Sequence, residues 1–231
     1  MKLKEKEFIK ALEASFKAYK DYGPRSTAKL KKIHKYFADL LLGIWGNDFE
    51  VFYLGDKSLG DKTKEKKVDG KYYPKSIDIT IAKNGKAVFC LGIKFATSNY
   101  KQNANNYFES MMGETANIQA IGNLPYAHLV ILRQPTPYYK KNSKVPSKLE
   151  IINDHDIRKY SELIFENPQA HRPIAMAIPI LEVDDNTMKI CFSDLKDFSK
   201  HNISILKGKL SLQNLYKEIV EYRNYYLSKN Q

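Results

Sequence analysis

The chain lacks most of what marks a secreted, membrane or metal-cluster protein. Its 231 residues include only two cysteines, Cys90 and Cys191, both inside apolar runs. They read as buried thiols of an intracellular, cytoplasmic protein and cannot build a zinc cluster by themselves. No run of about 18 apolar residues occurs, which excludes a membrane-spanning helix. The opening MKLKEKEFIK has no uninterrupted apolar segment of the signal-peptide kind. The five histidines, 34, 128, 155, 171 and 201, show no metal-ligand spacing. Acidic residues are in deficit as well: 38 Lys and Arg face 26 Asp and Glu, a net charge of +12. That excess points to a polyanionic partner, most commonly nucleic acid. The plainer reading is a lysine-rich soluble protein from an AT-rich genome.

What is present is an alternation of helical and strand patterns with no internal repeat. Residues 4–20 place Phe8, Ile9, Leu12, Phe16 and Tyr19 on one helical face, and Gly23-Pro24 breaks the chain. Ser26 can cap a second helix running through Leu42, and FEVFYL at 49–54 reads as a strand. Gly55–Lys75 is a polar connector with lysines at 57, 62, 64, 66, 67, 71 and 75. It reads either as a solvated loop or as a phosphate-contacting arm. Strands are expected at 77–82 and 87–95, a helix at 99–120 and a strand at 127–133. The last of these, wholly apolar, suits a sheet covered on both faces. A second basic loop, PTPYYKKNSKVP at 135–146, precedes a helix near 154–165, strands at 174–183 and 188–193, and a final helix at 211–227. The order predicts a single α/β domain with a mixed sheet flanked by helices.

The hairpin carries the chemistry. Ile77, Ile79 and Ile81 alternate with Asp78 and Thr80, while Phe89, Leu91, Ile93 and Phe95 alternate with Cys90, Gly92 and Lys94. Matching the apolar faces predicts the pairs Ile79–Phe89, Ile77–Leu91 and Ala82–Lys86, closed by a three-residue Lys83-Asn84-Gly85 turn. Asp78, Gly92 and Lys94 then share one face. A structural ion pair is one explanation of Asp78 and Lys94. The other is metal-assisted phosphodiester hydrolysis, in which a carboxylate fixes a divalent ion and lysine orients the nucleophile. Oxygen ligands suit Mg2+.

With Pro74 four residues before Asp78, and Gly92-Ile93-Lys94 on the next strand, the hairpin resembles the PD-(D/E)xK nuclease superfamily. Within it, the likeness is to type II restriction endonucleases, over residues 45–135. The resemblance implies a restriction-endonuclease-like fold whose remaining parts recognise DNA and dimerise. It further implies Mg2+ as cofactor, held by Asp78 and the carbonyl of Ile93, with Lys94 positioning the attacking water. The partners implied are double-stranded DNA with a short palindromic site, a second copy of the chain, and a companion methyltransferase. A repair or junction-resolving enzyme of the same superfamily, or a non-catalytic basic DNA-binding protein, are the alternatives.

Gly92 departs from the motif, which has an acid there. Either an original acid has been replaced and cleavage silenced, or the carboxylate comes from the following helix, or the protein is not a nuclease. On that helix Glu109 lies 15 positions after Lys94 and Glu114 lies 20 after. Glu109 shares a stripe with Gln102 and Asn106 and is the candidate taken forward. If an acid was lost, restoring Glu at position 92 should raise activity by orders of magnitude. Further DNA contacts are expected from Lys64, Lys66, Lys67 and Lys71 in the first basic loop and Tyr138, Lys140, Lys141 and Asn142 in the second, which also contains Lys144. Arg172, in NPQAHRP, could read guanine, although a plain surface loop is the favoured reading. His155 reads as part of a helix N-terminal turn and His128 as structural.

Overall fold

A computed structural model describes residues 3–23, 26–55, 63–122, 124–143 and 145–230. Pro24, Lys57, Lys62 and Lys144 lie outside the described residues. In chain order the elements are α1 (Glu5–Tyr22), α2 (Ala28–Trp45), β1 (Glu50–Tyr53), β2 (Lys66–Val68), β3 (Lys75–Ile77), β4 (Ile79–Lys83), β5 (Lys86–Ala96) and α3 (Tyr100–Gln119). They continue with β6 (Tyr126–Arg133), β7 (Thr136–Tyr138), β8 (Lys148–Glu150), α4 (Asp154–Phe165), β9 (Met176–Ala177), β10 (Ile180–Val183), β11 (Ile190–Phe192), α5 (Lys200–Lys207) and α6 (Leu212–Lys229).

The central sheet runs β1-β4-β5-β6-β10-β11, with β9 also on β6. β1, β4 and β5 are antiparallel neighbours, whereas β5, β6 and the β9/β10 pair run parallel. Every residue of β6 is buried, because helices cover both faces of this parallel centre. On one face α1, α2 and α6 pack Phe8, Phe37, Trp45 and Ile219 against Ile81, Phe89, Leu91 and Leu129. On the other, α3, α4 and α5 pack Tyr100, Met111, Tyr160 and Leu206 against Val130, Leu132 and Ile178. The protein is thus a mixed α/β fold with a mixed sheet flanked by helices. No helix among the described residues is long and apolar enough to cross a membrane.

The five expected helices form within a few residues of the sequence reading, and a sixth, α5, was not expected. Ser26 Oγ accepts a hydrogen bond from the Ala28 N–H, but α2 continues past Leu42 to Trp45, which packs on Phe49 and Phe89. Asn153 closes a reciprocal capping box with Asp156, so α4 starts at Asp154 and His155 sits in its first turn. Both expected basic loops contain strands. The first holds the β2–β3 hairpin and the second the β7–β8 hairpin, joined by ladders of three residue pairs each. Cys191 is exposed and not buried, because β11 is an edge strand.

The 77–95 hairpin forms with a different register. Its turn is the two-residue Asn84-Gly85, with φ of 52° and 75°. This is the twist-matched turn for a right-handed hairpin, and it needs two residues tolerant of positive φ. Ile79 pairs with Leu91 and Ile81 with Phe89, then Ala82 with Ala87 and Lys83 with Lys86. Val88 is therefore an extra, bulged residue. Beyond the bulge the expected pairs slip by two positions, and an even slip keeps those side chains on their own faces, whereas Ala82, on the turn side, slips by one. Ile77 is released from this hairpin: it pairs with Lys66 and packs with Val68, Cys90, Ile118 and Tyr126. The chain thus kinks at Asp78, and the hairpin register continued by one residue sets Asp78 opposite Gly92.

Candidate active site

Asp78 leaves the ladder between β3 and β4, so its carboxyl turns inward instead of lying along a strand. Its Oδ2 accepts a hydrogen bond of 2.7 Å from the Ile93 N–H. Oδ1 has no hydrogen-bond partner, and no cation comes within ion-pair distance, among the described residues. Burial pushes the Asp78 carboxyl up to about 6; Glu65 and Glu114 add to the shift, while the Ile93 N–H and Lys94 oppose it. Lys94 is exposed, with its Nζ 5.3 Å from the centre of the Tyr107 ring. The Asp78–Lys94 ion pair, one of the two explanations offered by the sequence, is not made.

Asp78, Gly92, Ile93 and Lys94 line one cavity of about 350 Å³ under α3. Lys29 of α2, Lys75 of β3, and Tyr107 and Glu114 of α3 complete its polar wall. Glu114 Oε1 accepts from Lys75 Nζ at 2.7 Å, and its Oε2 lies 3.5 Å from the Tyr126 hydroxyl. Glu109, the acid expected from the sequence, is exposed and its charge acts on Lys159 of α4. It does not line the cavity. The helix phase explains this: Tyr100, Ala104 and Met111 bury their side chains, and Glu114 follows that row three residues past Met111.

The glycine has a packing cause. β6 runs beside β5 with His128 paired to Gly92. A Cβ on Gly92 would stand 2.8 Å from His128 Nδ1 and 2.9 Å from the Tyr126 hydroxyl. Those two rings lie 4.3 Å apart and occupy the space of a side chain at position 92. Thr115 Oγ1 donates to the Met111 carbonyl at 2.7 Å, so its 2.8 Å contact with His128 Nε2 assigns the ring proton to Nε2. Nδ1 then carries a lone pair. Burial and the Lys94 charge lower His128 to about 3, so it is neutral at working pH. His128 was read from the sequence as structural, and its place on the cavity wall was visible only once β6 was set beside β5.

A second buried histidine, His34 of α2, has neither ring nitrogen hydrogen-bonded among the described residues, and burial lowers it to about 4. Depressed histidines bind fewer protons folded than unfolded, so their stabilisation is present above pH 6.5 and is lost as the pH falls towards 4. Between pH 7 and 5, His34 and His128 should each subtract about 2 kcal/mol from unfolding free energy. Urea melts of a His34→Leu variant should show its share of that slope removed.

The other candidate residues do not converge on the cavity. Lys64, Lys67 and Lys71 are exposed, while Lys66 Nζ sits 4.6 Å from the centre of the Phe52 ring. Lys140, Lys141 and Asn142 form an exposed tip of the β7–β8 hairpin, and Tyr138 carries Lys148 over its ring. Arg172 is turned inward. Its Nη2 donates to the Ile164 carbonyl at 2.9 Å, where a cation at a helix C-terminus satisfies a free acceptor, so a base-reading role does not fit.

The residues at the cavity fit a hard divalent cation in a restricted sense. No group of three or more His, Cys, Asp or Glu side chains able to hold a metal occurs among the described residues. Asp78, Glu114 and Ile93 line the cavity and each carries an oxygen that could serve as a donor. A small donor set of this kind suits Mg2+, which keeps several waters and needs few protein ligands.

No protein-family model matches the chain, and no curated protein is similar to it in sequence. Among solved structures, that of P. aeruginosa ATCC27853 NucC in its cAAA-bound form is similar over 96% of this chain and 95% of that chain, at 7% sequence identity and a TM-score of 0.38. A likeness of that degree says nothing about chemistry.

Proposed function

We propose that the protein is a metal-dependent nuclease of the restriction-endonuclease-like class, cutting double-stranded DNA. The observation that carries this reading is the half-buried Asp78 carboxyl, which is bonded by the Ile93 N–H, has no cation within ion-pair distance among the described residues, and shares one cavity with Glu114 and Lys94. A carboxylate with a raised pKa and no paired cation is costly, and such groups concentrate at sites that use them. Asp78, Glu114 and the Ile93 carbonyl would hold Mg2+. Bound there, the ion would supply charge for the phosphoryl oxygen and a water of lowered pKa. Lys94, exposed in the cavity wall, would orient an attacking water and balance the charge developing on the phosphate oxygens. Lys29, in the same wall, raises the positive potential where the backbone enters, and the +12 net charge draws DNA in from a distance.

Within the class, the motif resemblance favours a type II restriction enzyme acting as a homodimer on a short palindrome. Plasmid DNA incubated with Mg2+ should then give discrete bands, whereas a smear or a preference for branched substrates would favour a repair or junction-resolving enzyme. Glu114→Gln should lower cleavage at least 100-fold and weaken Mn2+ binding measured by calorimetry, while Glu109→Gln should match the parent within twofold. Equal activity of the Glu114 variant, or no cutting by the parent with any divalent cation, would overturn the assignment.

A further inference from the structure

The loop joining β2 to β3 carries two adjacent, exposed aromatic side chains, and two residues after the second of them comes Lys75, which lines the cavity. Tyr72 is 74% and Tyr73 50% exposed. Exposed tyrosines are common singly, but the backbone beneath these two is held by a dedicated buried amide. Asn117 of α3 is 2% exposed. Its Oδ1 accepts from the N–H groups of Tyr72 and Tyr73 at 2.9 and 3.4 Å, and its Nδ2 donates to the Tyr73 carbonyl at 2.8 Å. The Asn117 carbonyl accepts from the Lys71 N–H at 2.7 Å. Gly70 makes this capture possible, since a Cβ there would stand 2.1 Å from Asn117 Nδ2.

Asn117 and Glu114 are one turn apart on α3, so one helix fixes both the loop and the cavity acid. Lys75, two residues past Tyr73, is the lysine paired with Glu114. The backbone that carries the two rings is thus fixed within two residues of a lysine of the cavity wall. Their surroundings are cationic: Lys71 Nζ lies 5.3 Å from the centre of the Tyr72 ring, and Lys67 is exposed on the same hairpin.

We propose that Tyr72 and Tyr73 form a stacking platform for unpaired bases of single-stranded DNA adjoining the duplex at the cavity. Flat apolar faces on a fixed backbone, flanked by lysines, match a strand with a charged backbone and exposed base faces. Paired bases present no free face, so the platform makes duplexes with frayed, flapped or extruded nucleotides the preferred substrates. The proposal rests on the nuclease reading for its substrate and is tested without cleavage.

The probe is a single-stranded oligonucleotide bearing 2-aminopurine, mixed with the full chain in EDTA. Stacking should quench its fluorescence on binding. Tyr72→Ala with Tyr73→Ala should abolish the quench and weaken binding about tenfold or more. The corresponding double phenylalanine variant should keep both, because the ring and not the hydroxyl is used. A parent protein that binds without quenching, or a double alanine variant that quenches like the parent, overturns the platform and leaves cleavage through Asp78 standing. Loss in the phenylalanine variant equal to that in alanine also overturns it. Quenching by a parent that never cuts with any metal keeps the platform and removes the nuclease.

Discussion

Replacing Asp78 with asparagine should stabilise the folded protein at pH 8 while removing its metal-dependent cleavage. The carboxyl is raised from 3.8 to about 6, chiefly by burial. A carboxylate whose folded pKa is raised binds its proton more tightly in the folded state. Its contribution to stability is full below about pH 4 and is lost as the pH rises through 6. At pH 8 the ionised group therefore costs about 2–3 kcal/mol. Asparagine keeps an oxygen for the Ile93 N–H and carries no charge. We expect the variant to gain that amount in urea melts at pH 8, or roughly 5 °C in melting temperature. The gain should shrink to a fraction of a kcal/mol near pH 4 and vanish towards pH 3, where the parent is protonated in both states. Added Mn2+ or Mg2+ should raise the melting temperature of the parent but not of the variant, because only the parent binds the ion in its folded state. A variant no more stable than the parent at pH 8 would mean that Asp78 is already balanced, and the case for a cation there would fall. Stability gained by removing a charge that chemistry needs is the usual trade at an active site.

The two faces of the hairpin were legible in the sequence even though its register was not. Alternation along 77–95 sets which residues share a face, and only an odd slip reverses that. The bulge at Val88 left no trace, since β-branched residues suit regular and bulged positions alike. Glu109 lies off the cavity for a reason that can be stated. The polar stripe Gln102–Asn106–Glu109 faces away from it: Gln102 bonds Glu150 of β8 at 2.9 Å. The phase of a buried helix is set by its apolar row. Read from Tyr100, Ala104 and Met111, that row selects Glu114, which stands about 140° around the axis from Glu109. Asn117, Tyr126 and His128 could not have been found this way. Their roles depend on chain segments as far apart as Tyr72 and Asn117, separated by 45 residues. Arg172 carries the opposite lesson, that a cation in a polar loop is as readily spent on a neighbouring helix end as on a ligand.

Gly92→Glu should destabilise the protein and restore nothing, reversing what the motif alone implies. The new Cβ would meet His128 Nδ1 at 2.8 Å, His128 Cε1 at 2.9 Å and the Tyr126 hydroxyl at 2.9 Å, all inside contact distance. Neither ring is free to swing. His128 is tied to Thr115, Tyr126 is 2% exposed and its hydroxyl reaches towards Glu114, and both rings belong to the sheet's central strand. Overpacking of this kind costs about 1–3 kcal/mol, which Gly92→Ala should already show. Glutamate adds a third carboxylate beside Asp78 and Glu114, where desolvation and like charge both oppose ionisation. The full variant should lose at least about 3 kcal/mol in urea denaturation at pH 8. Cutting of plasmid DNA by its folded fraction should not exceed that of the parent. A paired variant, Gly92→Glu with His128→Ala, opens room for the side chain and separates crowding from chemistry. If the acid is wanted at position 92, that pair should cut faster than His128→Ala alone. If Glu114 already supplies the carboxylate, it should not. A folded Gly92→Glu protein that cleaves orders of magnitude faster than the parent would sink the assignment to Glu114 and return Gly92 to the status of a lost catalytic acid.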